Sequence, residues 1–190
     1  LSEINSPLLL LSEEMHFSDW QEALKFRNEA RNYHAEGLMI KRSNSPYEVG
    51  RKKGNWYKWK SDPLSIDAVL LYAQSGSGRR SNLFTDYTFA VWDGDQLVPF
   101  AKAYSGLTDL EINKVDRWVK RNTLEKFGPV RSVKPELVFE IAFEGIAQST
   151  RHKSGVAVRF PRIARWREDK NVNEANTLED LNDILNKYGN

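Results

Sequence analysis

The sequence of 190 residues predicts an α+β protein in two parts that meet near residues 61–65. Before this point, a helical stripe is followed by two strand patterns. After it, short strand patterns are interrupted by a single helix. The segment between them, "SDPLS", carries a proline that disfavours helix in the preceding residue. We therefore predict one domain over residues 1–62 and a second over residues 63–190.

The first part is predicted to contain a strand, a helix and two more strands. "SPLLLLSEEM" is typical of a buried strand. "SDWQEALKFRNEARNYH" predicts an amphipathic helix, in which Ser18 and Gln21 have the spacing of a capping box. "EGLMIKR" and "NWYKWK" predict two strands, joined by the Pro- and Gly-containing loop "SNSPYEVGRKKG".

The second part predicts several short strands, one inserted helix and a last helix. The strand patterns are "IDAVLLYAQ", "YTFAVWDG", "QLVPFAKAYS", "LVFEIAFEGIAQS" and "GVAVRFPRIARWR". The inserted helix, "TDLEINKVDRWVKRNTLEKFGP", begins with a capping box of Thr108 and Glu111 and is predicted to end at Gly128-Pro129. "NTLEDLNDILNKYG" predicts the final helix, with Leu178, Leu181, Ile184 and Leu185 packing on the body of the domain. This profile is typical of a small β-barrel such as the OB-fold.

Composition excludes several classes of function. Hydrophobic residues at 40% and aromatic residues at 12% predict a folded protein, and the absence of cysteine excludes disulfides, Cys-ligated zinc and a thiol nucleophile. The longest aliphatic run, "PLLLL", is too short for a membrane span or a signal peptide. We expect a monomer without a membrane partner, cytoplasmic or nucleoid-associated and not secreted. The leading leucine suggests that the chain begins inside a larger protein.

Positive charge is concentrated in two segments, although the net charge is only +2. Residues 41–60 hold seven Lys or Arg against one acid, and residues 151–170 hold seven against two. Such segments indicate surfaces for phosphates or nucleic acid, the alternative being ordinary solvated charge. Arg51 and Lys52 belong to the first segment, and Arg79 and Arg80 add two cations in a flexible "SGSGRR" loop.

Two lysines in "WYKWK" face the same way. Since side chains alternate along a strand, Lys58 and Lys60 emerge together beside Trp56. An anion can lie against that face, the alternative being a half-buried strand with a basic solvated side. The same alternation gives Glu36, Leu38 and Ile40 one face of the preceding strand and turns Lys41 to the other.

Glu36 is a candidate metal ligand. A carboxylate near phosphates is unfavourable unless a divalent cation lies between them, and Mg²⁺ is normally held by one or two carboxylates plus phosphate oxygens. Taken alone, Glu36 is equally consistent with a strand-end glutamate in water.

A third cluster lies in "RFPRIARWREDK". Arg165 and Arg167 share a strand face, and Arg162 and Lys170 add cations around neighbouring acids that include Asp169. The guanidinium fork suits phosphate and pyrophosphate oxygens, and a nearby acid can fix its rotamer. The alternative is a surface ladder of ion pairs.

Together and in this order, "EGLMIKR", "GNWYKWK" and "RFPRIARWREDK" resemble the fourth, fifth and sixth nucleotidyltransferase motifs of the ATP-dependent DNA ligases. "FEIAFEGIAQSTRHKSGVAVRFPRI" resembles the same family, so the likeness covers nearly the whole chain. It implies the end of a nucleotidyltransferase (adenylylation) domain followed by an OB-fold β-barrel with one inserted helix and a C-terminal helix.

The resemblance also implies roles for the marked residues. Lys58 and Lys60 would contact the phosphates of ATP and of the adenylate, Lys41 would lie near the nucleotide phosphate, and Glu36 would help to bind the metal. The last motif closes over the nucleotide and orients the pyrophosphate leaving group. That role would fall to Arg162, Arg165, Arg167, Asp169 and Lys170. The DNA substrate of the family would be contacted by Arg51, Lys52, Arg79 and Arg80.

One departure from the family pattern is decisive for activity. The nucleophile of these ligases is the lysine of K-x-D-G, and no lysine of this chain begins that sequence. Without it the chain forms no lysyl-AMP. We therefore expect a C-terminal portion of an ATP- and Mg²⁺-dependent ligase that seals 3′-hydroxyl/5′-phosphate nicks in duplex DNA through lysyl-AMP and DNA-adenylate.

Two alternatives remain from the sequence. An RNA ligase or an mRNA-capping guanylyltransferase shares the lysine and carboxylate motifs. A non-catalytic OB-fold binding module would instead present exposed aromatic rings for base stacking. Its candidate rings are Phe89, Trp92 and Trp118, although the strand and helix patterns favour core positions for them.

Overall fold

The computed structural model describes Leu8 and residues 14–189, except for the side chain of Arg79. The chain divides into two compact units, Leu1–Ser61 and Asp62–Asn190. Most of the predicted strand "SPLLLLSEEM" lies outside the described residues, and its described members, Leu8, Glu14 and Met15, belong to no helix or strand.

In its described part, the first unit contains one α-helix and a two-stranded ribbon. Its elements are α1 (Trp20–Glu29), β1 (Gly37–Lys41) and β2 (Trp56–Lys60). The strands β1 and β2 are antiparallel, and Gly37 lies opposite Lys60. The side chain of Arg27 in α1 donates from Nε to the carbonyl of Lys60 at 2.7 Å, which ties the helix to the end of the ribbon.

The predicted capping box of α1 is wrong. The carboxylate of Asp19 accepts from the backbone N–H groups of Gln21 and Glu22, at 2.8 and 2.9 Å. The hydroxyl of Ser18 donates to Glu22 instead. Asp19 has the extended backbone of an N-cap, and its charge also favours the helix N-terminus, so it replaces the predicted serine.

The second unit is a curled, OB-like antiparallel sheet with two helices, and it confirms the predicted α+β class. Its elements are β3 (Leu64–Ser75), β4 (Phe84–Asp93), β5 (Gln96–Ala103), α2 (Asp109–Arg121), β6 (Thr123–Phe127), β7 (Val130–Val133), β8 (Val138–Phe143), β9 (Gly145–Gln148), β10 (Val156–Arg159), β11 (Arg162–Trp166) and α3 (Leu178–Tyr188). The strand order is β11-β8-β3-β4-β5, with β7 also on β3 and β6 on β7, while β9 and β10 form a separate ribbon.

The inserted helix is shorter than the sequence pattern predicts. Its capping box of Thr108 and Glu111 is present, but α2 ends at Arg121 and residues 123–133 form the hairpin β6–β7. Gly128, at φ 56°, makes the hairpin turn. A glycine after a periodic run is a signal for a helix end as well as for a turn, so the sequence did not separate the two.

Two predicted strands are each divided in two. "LVFEIAFEGIAQS" separates into β8 and β9 at Glu144, and "GVAVRFPRIARWR" separates into β10 and β11 at Phe160-Pro161. Phe160 has a left-handed backbone, φ 53°, and the following proline lacks the N–H that a continuous ladder requires. The breaks allow β8 and β11 to stay in the main sheet while β9 pairs with β10.

The linker is shorter than predicted, because Leu64 and Ser65 already pair with Phe143 and Ala142 of β8. Asp62 and Pro63 belong to no helix or strand.

The main core lies on one face of the sheet. Its fully buried members include Leu70, Phe89, Phe139, Ile141, Phe143 and Leu181. As predicted, α3 packs its apolar stripe on this core. Val69, Val138 and Ala175 form a smaller cluster, which Trp92 and Val172 help to cover.

The three candidate stacking rings are core residues. Phe89 is fully buried, Trp118 packs against the main core, and Trp92 packs on the smaller cluster while its indole N–H donates to the carbonyl of Val172 at 2.8 Å. These positions do not favour the non-catalytic stacking module.

Candidate functional site

The β1–β2 ribbon gathers lysines on one face. In its register Met39 lies opposite Lys58, and Lys41 lies opposite Trp56. Directly opposed residues share a face, so these four side chains lie on the same side of the ribbon. The ammonium of Lys41 is 4.7 Å from the Trp56 ring centroid, which is within the range of a cation–π interaction.

An open cleft of about 380 Å³ lies against this face. Its lining includes Met39, Tyr47, Glu48, Asn55 and Trp56, together with the cations Arg51, Lys52 and Lys58. The structure therefore brings two predicted DNA-contacting residues together with one of the two K-x-K lysines. Lys60 ends β2 and is not part of the lining.

Glu36 lies beside Lys60. Its carboxylate is 3.6 Å from the Lys60 ammonium, and both side chains are more than a third exposed. The strand begins one residue after Glu36, at Gly37, so Glu36 lies at the entrance to β1 and not within it.

Gly37 is required where the chain enters β1. Its φ is 136°, and a Cβ there would lie 2.3 Å from the Trp59 carbonyl oxygen. A side chain at this position is excluded by both effects. Glycine at this position therefore allows β1 to pack closely against β2 directly after Glu36.

Glu36 offers a single carboxylate, which by itself would supply only one protein ligand to a magnesium ion. Within residues 14–189, no group of three or more His, Cys, Asp or Glu side chains can hold a metal. A single carboxylate still fits Mg²⁺, because this ion keeps several waters and takes oxygens from nucleotide phosphates.

In the second unit, the arginines of "RFPRIARWR" are paired with acids. Arg162 donates from Nη1 to the largely buried Glu144 at 2.9 Å. Arg165 lies 3.5 Å from Glu140 and remains well exposed. A bulge between Ile163 and Arg165 shifts the register of β11 and sets Arg165 opposite Glu140.

Arg167 and Lys170 share a buried acid on β3. Asp67, with its side chain 8% exposed, lies 2.8 Å from Arg167 Nη1 and 2.7 Å from the Lys170 ammonium. Asp169 accepts from the Nε and Nη2 groups of Arg167. These hydrogen bonds hold the pKa of Asp169 well below its usual range, and they raise the pKa of Arg167.

The sequence predicted Asp169 as a neighbouring acid, but it did not predict the other acidic partners of these cations. Glu144 is 18 positions from Arg162, and Asp67 is 100 positions from Arg167. Only Asp67 left a signal, as a lone acid inside the apolar pattern "IDAVLL". The predicted cationic patch is thus a set of ion pairs in this structure. A surface ladder of ion pairs was the alternative interpretation of this part of the sequence.

The "SGSGRR" segment has defined structure. Gly78–Arg80 forms a 3-10 turn, and Gly76 donates its N–H to the carbonyl of Leu83 at 2.9 Å. Arg80 donates to Asp109 at 2.9 Å and is half-exposed. The prediction of a flexible loop is therefore not met at Arg80, while the Arg79 side chain lies outside the described residues.

Replacing Asp169 by Asn is expected to destabilise the chain in a pH-dependent way. The pKa of Asp169 is lower in the folded state, so its contribution to stability is complete above the unfolded pKa, about 3.9, and decreases as pH falls towards the folded value. Urea denaturation from pH 7 to pH 2 measures this. A difference between wild type and Asp169→Asn that grows as the pH falls would contradict it.

Comparison with known proteins identifies the family. Residues 4–60 match the family model described as "ATP dependent DNA ligase domain", and residues 80–170 match "ATP dependent DNA ligase C terminal region". The chain therefore belongs to the ATP-dependent DNA ligase family. Among the described residues, none of the helices combines the length and the apolar composition of a membrane-spanning segment.

The chain is similar to part of several curated ligases. It is 47% identical to "Probable DNA ligase" of Koribacter versatilis over 149 residues, which cover 78% of this chain and 26% of the relative. It is 36% identical to "DNA ligase 1" of Korarchaeum cryptofilum over 172 residues, which cover 90% of this chain and 32% of the relative. The chain thus spans about a quarter to a third of these relatives.

Solved structures with a similar fold are also ligases. The ligase domain of M. tuberculosis LigD has a TM-score of 0.52 at 20% identity, covering 76% of this chain and 48% of that one. A Lig E DNA ligase has a TM-score of 0.54 at 18% identity, covering 80% and 48%. At these identities the likeness shows the fold alone.

Proposed function

We propose that this chain is the portion of an ATP-dependent DNA ligase that binds nucleotide phosphates and closes over the nucleotide. The parent protein would adenylylate its own lysine, pass AMP to the 5′-phosphate of a nick in duplex DNA, and let the 3′-hydroxyl displace the AMP. Residues 1–62 would be the end of the adenylylation domain, and residues 63–190 the OB-fold domain.

The cleft of the first unit carries this proposal. Lys58 shares it with Arg51 and Lys52, and Lys41 lies on the same ribbon face. Lys60, at the end of that strand, lies beside Glu36. Cations around an open cleft attract a polyanion, and lysine ammonium groups are good partners for individual phosphate oxygens.

ATP and magnesium would meet at the same ribbon. Lys41, Lys58 and Lys60 would contact the phosphates of ATP, and Glu36 would hold Mg²⁺ together with phosphate oxygens and water. When bound, the ion would neutralise part of the charge on the phosphates. Glu36 would also remain the acid that orients the ammonium of Lys60.

The last motif would act on the leaving group. Arg162, Arg165, Arg167, Asp169 and Lys170 would orient pyrophosphate during adenylylation. Each of the four cations lies against a carboxylate of this unit. Pyrophosphate would therefore use the donor groups that those carboxylates leave available, or would displace the carboxylates.

Neutralising Arg51 and Lys52 is expected to weaken DNA binding and its salt dependence. Each phosphate contact contributes about 0.9 to the slope of log K against log salt on B-DNA, so Arg51→Ala with Lys52→Ala should lower the slope by about 1.8. Fluorescence anisotropy with nicked duplex DNA in a salt series measures this. Lys126→Ala, on the hairpin strand β6, is the control, and an equal change there would contradict the assignment.

We propose Arg79 and Arg80 as further DNA contacts, which the same measurement can test separately.

An RNA ligase or capping enzyme is the second candidate, and substrate choice separates it. The full-length protein, given ATP and Mg²⁺, is expected to seal a nick between DNA strands faster than the same nick with RNA strands. Preference for RNA ends, or transfer of GMP to an RNA 5′-diphosphate, would favour this second candidate over a DNA ligase.

We further propose that the parent protein is a cytoplasmic or nucleoid-associated monomer that acts in DNA repair, replication or recombination.

A further inference from the structure

Asp67 is an acid within residues 66–70 of β3, a stretch that is otherwise buried and apolar. The residue is 6% exposed, and Ala68, Val69 and Leu70, which follow it in β3, are fully buried. Acids at such positions are rare unless they are paired, because burying an unpaired carboxylate is costly. Asp67 belongs to none of the three sequence motifs. The role of its charge must therefore be inferred from the groups that it contacts.

Both partners of the Asp67 carboxylate belong to the last motif. Arg167 Nη1 donates to its two oxygens at 3.1 and 2.8 Å, and the Lys170 ammonium donates to it at 2.7 Å. The Nε and Nη2 groups of Arg167 donate to Asp169. The guanidinium is therefore held between two carboxylates, and one of these also holds the lysine.

The backbone of Asp67 is held in place as well. Its N–H donates to Asn176 Oδ1 at 2.9 Å, and its carbonyl accepts from the Asn176 N–H at 2.9 Å. The carbonyl of Asn176 accepts from the N–H of Trp92 on β4 at 3.1 Å. The segment from Arg167 to Asn176 therefore begins and ends at contacts with the same residue of β3.

We propose that Asp67 is a positioning residue for self-adenylylation, which fixes Arg167 and Lys170 in the orientation from which they act on pyrophosphate. This inference rests on the proposed function. In that step the lysine amine forms a P–N bond to the α-phosphorus of ATP and loses one proton. Pyrophosphate leaves with the electron pair of the broken P–O bond.

The physical basis is preorganisation. Lysine and arginine lose much rotamer freedom when they are ordered, and charges that are already oriented stabilise a transition state without reorganising. Within the described residues, Asp67 takes one of the three N–H donors of Lys170, which leaves donors for an anion. Without the Asp67 charge, two partly buried cations lose their shared partner and turn towards water.

The test separates two steps of the full-length protein. Wild type and Asp67→Asn are compared in the rate of lysyl-AMP formation from labelled ATP. They are also compared in the rate of sealing a nick whose 5′-phosphate already carries AMP. We expect Asp67→Asn to slow adenylylation by at least about tenfold and sealing by less than about threefold. Sealing of the adenylated nick releases no pyrophosphate, so a defect in pyrophosphate positioning should leave it nearly unchanged. A purely structural defect would slow both adenylylation and sealing.

Asp116→Asn is the matched control. Asp116 is also a buried acid of this unit with a lysine partner, since it lies 2.7 Å from Lys120, which is outside the motif. We expect this variant to lose thermal stability and to change both rates by the same factor. If Asp67→Asn does not fold, Asp67→Glu keeps the charge, moves it by one methylene, and is expected to slow adenylylation selectively to a smaller extent.

The inference would be overturned if the Asp67 variants slowed both steps equally or slowed neither. It would also be overturned if Asp116→Asn slowed adenylylation selectively. In each of these cases the proposed function of the wild-type protein would still stand. A wild-type protein that neither forms an adenylate nor seals a nick would overturn the proposed function, and the inference with it.

Discussion

Replacement of Lys58 by Ala in the full-length protein is expected to slow lysyl-AMP formation by about 100-fold, the effect of removing one preorganised donor from a developing charge. Lys58 is the one K-x-K lysine that lines the described cleft, on the same ribbon face as Lys41. Single-turnover transfer of labelled AMP from ATP measures the rate directly.

Lys53→Ala is the matched control. Lys53 is exposed in the loop that precedes β2, and it does not line the cleft. We expect its adenylylation rate to stay within about threefold of wild type, since a solvated cation outside the cleft contributes little. Equal losses in both variants would show that general positive charge, and not the position of Lys58, drives the step.

Replacement of Phe139 by Ala is expected to destabilise the chain by about 3–5 kcal/mol, the usual cost of removing a buried aromatic ring. Phe139 is 1% exposed, and its ring centroid lies 5.5 Å from both the Phe89 and the Trp166 rings. Because Trp166 ends β11, the ring links the core to the strand that precedes Arg167. Urea denaturation measures the free energy of unfolding.

Phe127→Ala is the control for this prediction. It makes the same chemical change on β6, where Phe127 is 55% exposed. We expect a change within about 0.5 kcal/mol, as for most surface substitutions. A loss for Phe139→Ala as small as that for Phe127→Ala would contradict the described core.

Periodicity and capping residues predicted the elements whose signals are local. The capping box of Thr108 and Glu111 started α2, and the apolar stripe of α3 packs as expected. The end of α2 was not predictable, because the hairpin β6–β7 depends on pairing with β3, a strand some sixty residues earlier in the chain. Tertiary pairing decided between helix and strand there.

Motif spacing predicted the cations of the site but not their charge balance. The ribbon face of Lys58 follows from period-2 alternation, and the loop positions of Arg51 and Lys52 follow from their neighbours in the chain. The acids opposite the last motif come from β3 and from the region of β8, and their pairing depends on strand order. Strand order was not predicted from local patterns, so Asp67 was missed.

Exposure to ATP labelled at the α-phosphate, followed by nicked duplex DNA, tests the account most directly. We predict that the full-length protein acquires label on a lysine outside this chain, passes it to the DNA 5′-phosphate, and releases it as AMP when the nick is sealed. The 190-residue chain should acquire no label, since it contains no K-x-D-G. Label on this chain, or none on the full-length protein, would contradict the account.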